Sequence, residues 1–130
     1  MFLDTSGLLC LLDAGERWHS DDGTYYRAAP TRLTQNYVLV ELIALAMARN
    51  FDRLTTCRYI TAVVRDPKVE VRWIDPDLHR RGVELLTAQL DKDYSLTDAV
   101  SFILMRERGI LESLTTDHHF EQAGFVRLLK

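Results

Sequence analysis

Short apolar segments alternate with long helical patterns along this chain, and that alternation constrains its fold more than any other feature. Met1-Phe2-Leu3 is a brief apolar run that ends in Asp4-Thr5-Ser6, a capping cluster opening a helix through Leu8, Leu9, Leu11 and Leu12 that stops at Gly15. A more polar helix is expected over 16–28, with Trp18, Tyr25 and Tyr26 as its apolar contacts, and Pro30 ends it. Arg32-Leu33-Thr34 reads as a strand, followed by helices over about 35–49 and 51–65. Residues 69–74 alternate with period two, and Asp75-Pro76-Asp77 starts a helix reaching about residue 90. Ser95 caps a helix over 97–108 with Gly109 past its end; a strand over 110–116, a short helical turn over 117–122 and a strand over 125–129 close the chain. Strands separated by helices of this length need crossover connections. The pattern therefore predicts an α/β fold with a mainly parallel sheet covered on both faces. Ligands of such folds sit at the carboxyl ends of the strands, near the point where strand order reverses.

Length and composition set the outer limits. At 130 residues the chain is sized for a single domain (1–130), and 47% hydrophobic with 27% charged residues argues against disorder. Two cysteines, Cys10 and Cys57, both in apolar or helical stretches, give no disulfide framework and fit a reducing, cytoplasmic setting. No run of 18 apolar residues occurs and Asp4 interrupts the N-terminus, so neither a membrane span nor a signal peptide is expected. The net charge of −3 has the wrong sign for a protein that coats nucleic acid nonspecifically. Thirteen Arg against three Lys suits phosphate contact, although a GC-rich genome gives the same bias.

The acidic residues carry the chemistry. Asp4 and Asp117 each stand at the carboxyl end of a predicted strand, where an N-cap role is the bland reading of either one. Glu41 lies in Tyr37-Val38-Leu39-Val40-Glu41-Leu42-Ile43-Ala44-Leu45-Ala46-Met47, a stretch apolar on every helical face, which predicts a buried carboxylate in need of a cation. Asp98 follows Ser95 at capping-box spacing and opens another largely apolar helix. Four carboxylates converging on one cleft raise one another's pKa, and a hard divalent cation relieves the repulsion. An all-oxygen acidic cluster thus points to metal-assisted phosphodiester chemistry. Competing constellations are thin. His118 and His119 diverge if helical and no zinc-type spacing occurs, so no zinc site is expected; phosphate-binding glycine loops and a G-x-S-x-G elbow are missing.

Phe2-Leu3-Asp4-Thr5-Ser6, Glu41 on its apolar helix, Tyr94-Ser95-Leu96-Thr97-Asp98-Ala99 and Thr115-Thr116-Asp117-His118-His119-Phe120-Glu121-Gln122-Ala123-Gly124-Phe125 together resemble a PIN-domain protein, most closely the VapC-like toxins of toxin–antitoxin pairs. The resemblance spans nearly the whole chain. It implies a three-layer α/β/α sandwich around a parallel five-stranded sheet and an endoribonuclease dependent on Mg²⁺ or Mn²⁺. It assigns the catalytic set to Asp4, Glu41, Asp98 and Asp117, with Asp4, Asp98 and Asp117 at the metal and Glu41 acting through water. The hydroxyls of Thr5, Ser6 and Thr116 would steady those carboxylates. It further implies an RNA substrate, a small antitoxin that covers the groove, and a homodimer. Arg27, Arg32, Arg49, Arg53 and Arg80 are candidates to line the RNA path. A housekeeping nuclease without antitoxin and a catalytically idle binding module are the alternatives. A haloacid-dehalogenase-like phosphatase is disfavoured, because it needs Asp where Ser6 stands.

Overall fold

The computed structural model describes residues 1–130. Five strands form one sheet in the order β3-β2-β1-β4-β5, every neighbouring pair parallel. They are β1 (Phe2–Leu3), β2 (Arg32–Gln35), β3 (Val69–Arg72), β4 (Glu112–Leu114) and β5 (Val126–Arg127). Seven helices connect them: α1 (Thr5–Leu12), α2 (His19–Ala28), α3 (Asn36–Ala48), α4 (Arg53–Arg65), α5 (Pro76–Ala88), α6 (Leu96–Arg108) and α7 (His119–Gln122). The chain steps outward from β1 through β2 to β3, then returns to the other side of β1 for β4. Helix α1 packs against α2 and α3, and α3 against α4, while α5 packs against α6 and α6 against α7, the layered α/β arrangement the pattern implied. The reversal falls between β1 and β4, where Phe2 pairs with Ser113 and Leu3 with Leu114.

Central strands are apolar because both faces are covered. Phe2, Leu3, Leu114, Phe102 and Phe120 are each completely or almost completely buried, and Phe102 packs edge-on against Phe120 at 5.0 Å between ring centroids. Gly7 lets α1 lie on the sheet: a Cβ there would sit 2.1 Å from the Leu114 carbonyl oxygen, and backbone cannot yield. The last strands are shorter than expected, since Ile110 is held in the capping turn after α6 by its bond to the Met105 carbonyl, and Gly109 there has a φ of 63°. Past Leu114 the Thr115 carbonyl still accepts the Leu129 N–H at 3.2 Å, while the Thr115 hydroxyl is given to Asp4. Helix α2 begins at His19 because the chain from Asp13 makes successive turns first. No helix is long and apolar enough to cross a membrane, and Cys10 and Cys57 are free thiols, one buried and one exposed.

One carboxylic acid is fully enclosed away from the strand ends. Asp22 of α2 is 0% exposed and neither of its oxygens has a hydrogen-bond partner; Cys10 of α1 and Tyr59 of α4 both feel its charge. Burial pushes its pKa up to about 8 from 3.8, so the folded chain keeps a proton that the unfolded chain releases. Stability therefore falls as pH rises between those two values. Urea unfolding of Asp22→Asn should show a flatter pH dependence than the parent, with equal stability at pH 4 and higher stability at pH 8. An unchanged slope would contradict this reading of Asp22.

Candidate active site

Asp4 is the best buried of the candidate carboxylates. Its backbone N–H continues the β1–β4 ladder to the Leu114 carbonyl at 3.3 Å, which carries the side chain past the end of the sheet at the reversal point. It stands at the N-cap position of α1 in extended conformation, but its side chain caps nothing. Oδ2 instead accepts from Thr115 Oγ1 at 2.7 Å and Ser6 Oγ at 3.4 Å. The residue is 5% exposed, and its pKa is pushed up to about 7. Burial is the main cause; the negative charges of Asp98 and Glu41 add to it, and the Thr115 hydrogen bond opposes it.

Thr115 knits the site together. Its oxygen also accepts the Asp117 backbone N–H at 3.0 Å and lies 3.0 Å from Ser6 Oγ, which in turn accepts the Thr116 N–H at 2.9 Å. The turn after β4 is thus tied to the start of α1 through two hydroxyls. Expectation gave Thr116 this supporting role; its backbone takes part, while the hydroxyl on Asp4 belongs to its neighbour. Thr5 Oγ1 is buried and makes no hydrogen bond, so of the three expected supports only Ser6 touches a carboxylate through its side chain.

Asp98 enters from the first turn of α6. The capping box is real: Asp98 Oδ2 accepts the Ser95 N–H and Ser95 Oγ accepts the Asp98 N–H, both at 3.0 Å. Capping occupies only Oδ2, and Oδ1 makes no bond within the chain. Burial raises the Asp98 pKa, with the charge of Asp117 adding to it. Gln35, fully buried, fixes this helix against α3: it accepts the Tyr37 N–H and donates to Ser101 Oγ at 3.2 Å. Asp117 is half-buried, and its Oδ1 accepts the His119 N–H at 2.9 Å.

Glu41 departs from expectation. It is exposed, as are Val40, Ile43 and Ala44, so α3 is apolar all round because one face is left uncovered, not because the helix is engulfed. Its charge still acts on Asp4 from the rim. Arg32 is held inward at the far end of the sheet: it is buried, donates twice to the Tyr26 carbonyl and stacks over the Tyr26 ring. Arg49 pairs with Glu16 and Arg80 with Asp77 and Glu84, whereas Arg27 and Arg53 are exposed and make no salt bridge. A groove of about 580 Å³ beside Arg32, Lys68 and Val69 lies at the amino ends of β2 and β3, away from the carboxylates.

The sequence reading missed both histidines. They do not diverge, because they occupy the turn entering α7 rather than its interior; their rings are 4.5 Å apart. His119 Nδ1 lies 3.3 Å from Asp117 Oδ1 and 3.5 Å from Asp98 Oδ2. No Lys or Arg forms an ion pair with Asp4, Glu41, Asp98 or Asp117. Buried carboxylates with raised pKa values, oxygen donors and no organic cation fit a hard divalent ion. Thr115→Val should cost about 1–3 kcal/mol in urea unfolding at pH 8 by stranding Asp4 and the Asp117 N–H, with Thr115→Ser restoring most of it. A Val variant as stable as the parent would remove Thr115 from this role.

No family model matches the chain. Among curated proteins it is similar to the 23S rRNA-specific endonuclease VapC20 of Mycobacterium tuberculosis, 31% identical over 129 residues, covering 98% of this chain and 97% of the relative. Among solved structures it is similar to the crystal structure of M. tuberculosis VapC20, titled a Sarcin-Ricin loop cleaving toxin, with a TM-score of 0.86, 30% identity and coverage of 96% and 95% of the two chains. Identity at that level over almost the full length of both chains, on a shared fold, places the protein in the VapC family of PIN-domain toxins, endonucleases that cleave RNA.

Proposed function

We propose that this chain cleaves a structured loop of large-subunit ribosomal RNA in a reaction dependent on Mg²⁺ or Mn²⁺, with Asp4, Asp98 and Asp117 as metal ligands and Glu41 acting through water. The observation that carries the reading is Asp4: a carboxylate 5% exposed, held by Thr115, under the charges of Asp98 and Glu41, with no Lys or Arg to neutralise it. Such a group carries its full charge at neutral pH only when a cation shares its pocket. The bound ion would supply Lewis acidity, lowering the pKa of water and screening the phosphate. The chain's own groups do the positioning. Thr115 and Ser6 orient Asp4 while the Ser95 N–H fixes Asp98 with Oδ1 left free. Glu41, exposed at the rim, orients a water for in-line attack on phosphorus as the bond to the leaving ribose oxygen breaks. The choice of ribosomal RNA rests on the specificity named for VapC20.

A small antitoxin and a second copy of the chain are the proposed protein partners. The uncovered side of α3, with Val40 68% and Ile43 39% exposed, supports at least one such contact. Arg27 and Arg53, without acidic partners, are the remaining candidates for RNA phosphates among those named from the sequence.

A cleavage assay on a hairpin from the large ribosomal RNA tests this. EDTA should abolish cutting and Mg²⁺ or Mn²⁺ restore it. Asp98→Asn should slow cutting on the order of a hundredfold or more while circular dichroism stays unchanged. Because Asp4 must lose its proton to bind the ion, affinity for Mg²⁺ should weaken by up to about tenfold per pH unit below 7. Cutting that resists EDTA, or an Asp98→Asn variant at the parent rate, would overturn the proposal.

A further inference from the structure

Two peptide units lead the chain into Asp117, and each is gripped at both ends. In the unit joining Thr115 to Thr116, the carbonyl accepts the Leu129 N–H at 3.2 Å and the N–H is donated to Ser6 Oγ at 2.9 Å. In the unit joining Thr116 to Asp117, the N–H is donated to Thr115 Oγ1 at 3.0 Å and the carbonyl accepts from Arg127 Nη1 at 3.0 Å. Three of these grips come from backbone or from hydroxyls already placed at the site. The fourth is a side chain of β5, the edge strand beside β4. A peptide unit is planar, so fixing both its ends fixes the direction in which the next residue leaves it. That residue is Asp117.

Arg127 is held from behind. Its Nη2 lies 3.3 Å from Glu121 Oε2, and Glu121 Oε1 accepts from the Lys130 ammonium at 2.7 Å. Glu121 belongs to α7, so the guanidinium ties the turn after β4 to the helix that follows Asp117. The charge of Arg127 is met there by Glu121 and not by Asp117, whose carboxylate stays available to a cation. Residue choice argues the same way. The side chain is largely enclosed, and its Nε is shut off from solvent without an acceptor, a cost that an apolar side chain in this strand would avoid. What the guanidinium adds, and an apolar residue lacks, is the bond to the Thr116 carbonyl.

We propose that Arg127 is a positioning residue of the nuclease reaction: through the Thr116 carbonyl it orients the peptide that carries Asp117, while Glu121 and Lys130 hold its guanidinium in place. The inference rests on the reading of Asp117 as a metal ligand, and its test therefore includes Asp117 itself. Arg127 touches neither ion nor RNA in this role. Its loss acts through the placement of one carboxylate.

Mn²⁺ binding to the purified full chain, followed by the resonance signal of the free ion, and cleavage of the ribosomal hairpin test this. The variants are Arg127→Met, Arg127→Lys, Asp117→Asn and Arg127→Met combined with Asp117→Asn. Arg127→Met should match or exceed the parent's urea midpoint, yet bind Mn²⁺ on the order of tenfold more weakly and lose kcat while KM for RNA holds. Arg127→Lys, which keeps a cationic donor for the carbonyl, should recover most of the affinity. On the Asp117→Asn background the change to Met should add almost nothing, because the carboxylate it positions is gone. An Asp117→Asn chain with parent affinity would remove the metal-ligand reading and the proposal with it. Weak binding in Asp117→Asn beside parent affinity in Arg127→Met would overturn the positioning role alone. So would a Met chain that is unfolded or loses stability in step with affinity, or a full further loss on the Asn background.

Discussion

The seam between β1 and β4 is where this molecule confines negative charge that its interior tolerates poorly. A parallel sheet delivers the carboxyl ends of all its strands to one edge, and the reversal of strand order brings Asp4 and the turn carrying Asp117 together there. Closeness is enforced by backbone, since Gly7 allows α1 to approach the Leu114 carbonyl in a way no other residue could. Hydroxyls then convert proximity into order: Thr115 bonds Asp4 and the Asp117 N–H at once, and Ser6 ties the same turn to α1. What remains unsatisfied is charge. Asp4 stays neutral to near pH 7 without a counter-ion, and that deficit is the physical basis for assigning a divalent cation to the edge.

Asp4, Asp98 and Asp117 stand out in the sequence by position, two after apolar strand segments and one after a capping serine, and the structure puts Asp98 within reach of the charges of both Asp4 and Asp117. Capping does not exclude function: Asp98 closes its box through Oδ2 and keeps Oδ1 free. Glu41 was singled out for a physical reason the structure corrects. An apolar surround suggested burial, whereas one face of α3 has no cover from its own chain, so the pattern reports a missing partner surface rather than a buried charge.

Other features were not legible. Thr115 in place of Thr116 depends on where β4 ends, and a strand that stops at Leu114 hands the next side chain to Asp4. His118 and His119 would diverge within a regular helix, but His118 precedes α7 and His119 is its first residue, and their rings lie 4.5 Å apart. Asp22 hides in a polar segment whose helix turns this one carboxyl inward, a choice visible only once α1, α2 and α4 are packed. The late start of β4 reflects the capping turn that holds the Ile110 N–H on the Met105 carbonyl, which no periodicity encodes.

The central claim is that Asp4 cannot hold its full charge at neutrality unless a divalent ion shares its pocket. Carboxyl-carbon NMR titration of Asp4, with and without saturating Mg²⁺, tests it most directly. The account predicts a midpoint near 7 in the metal-free protein and one below about 4 with the ion bound. A metal-free midpoint at an ordinary aspartate value, unmoved by Mg²⁺, would contradict it.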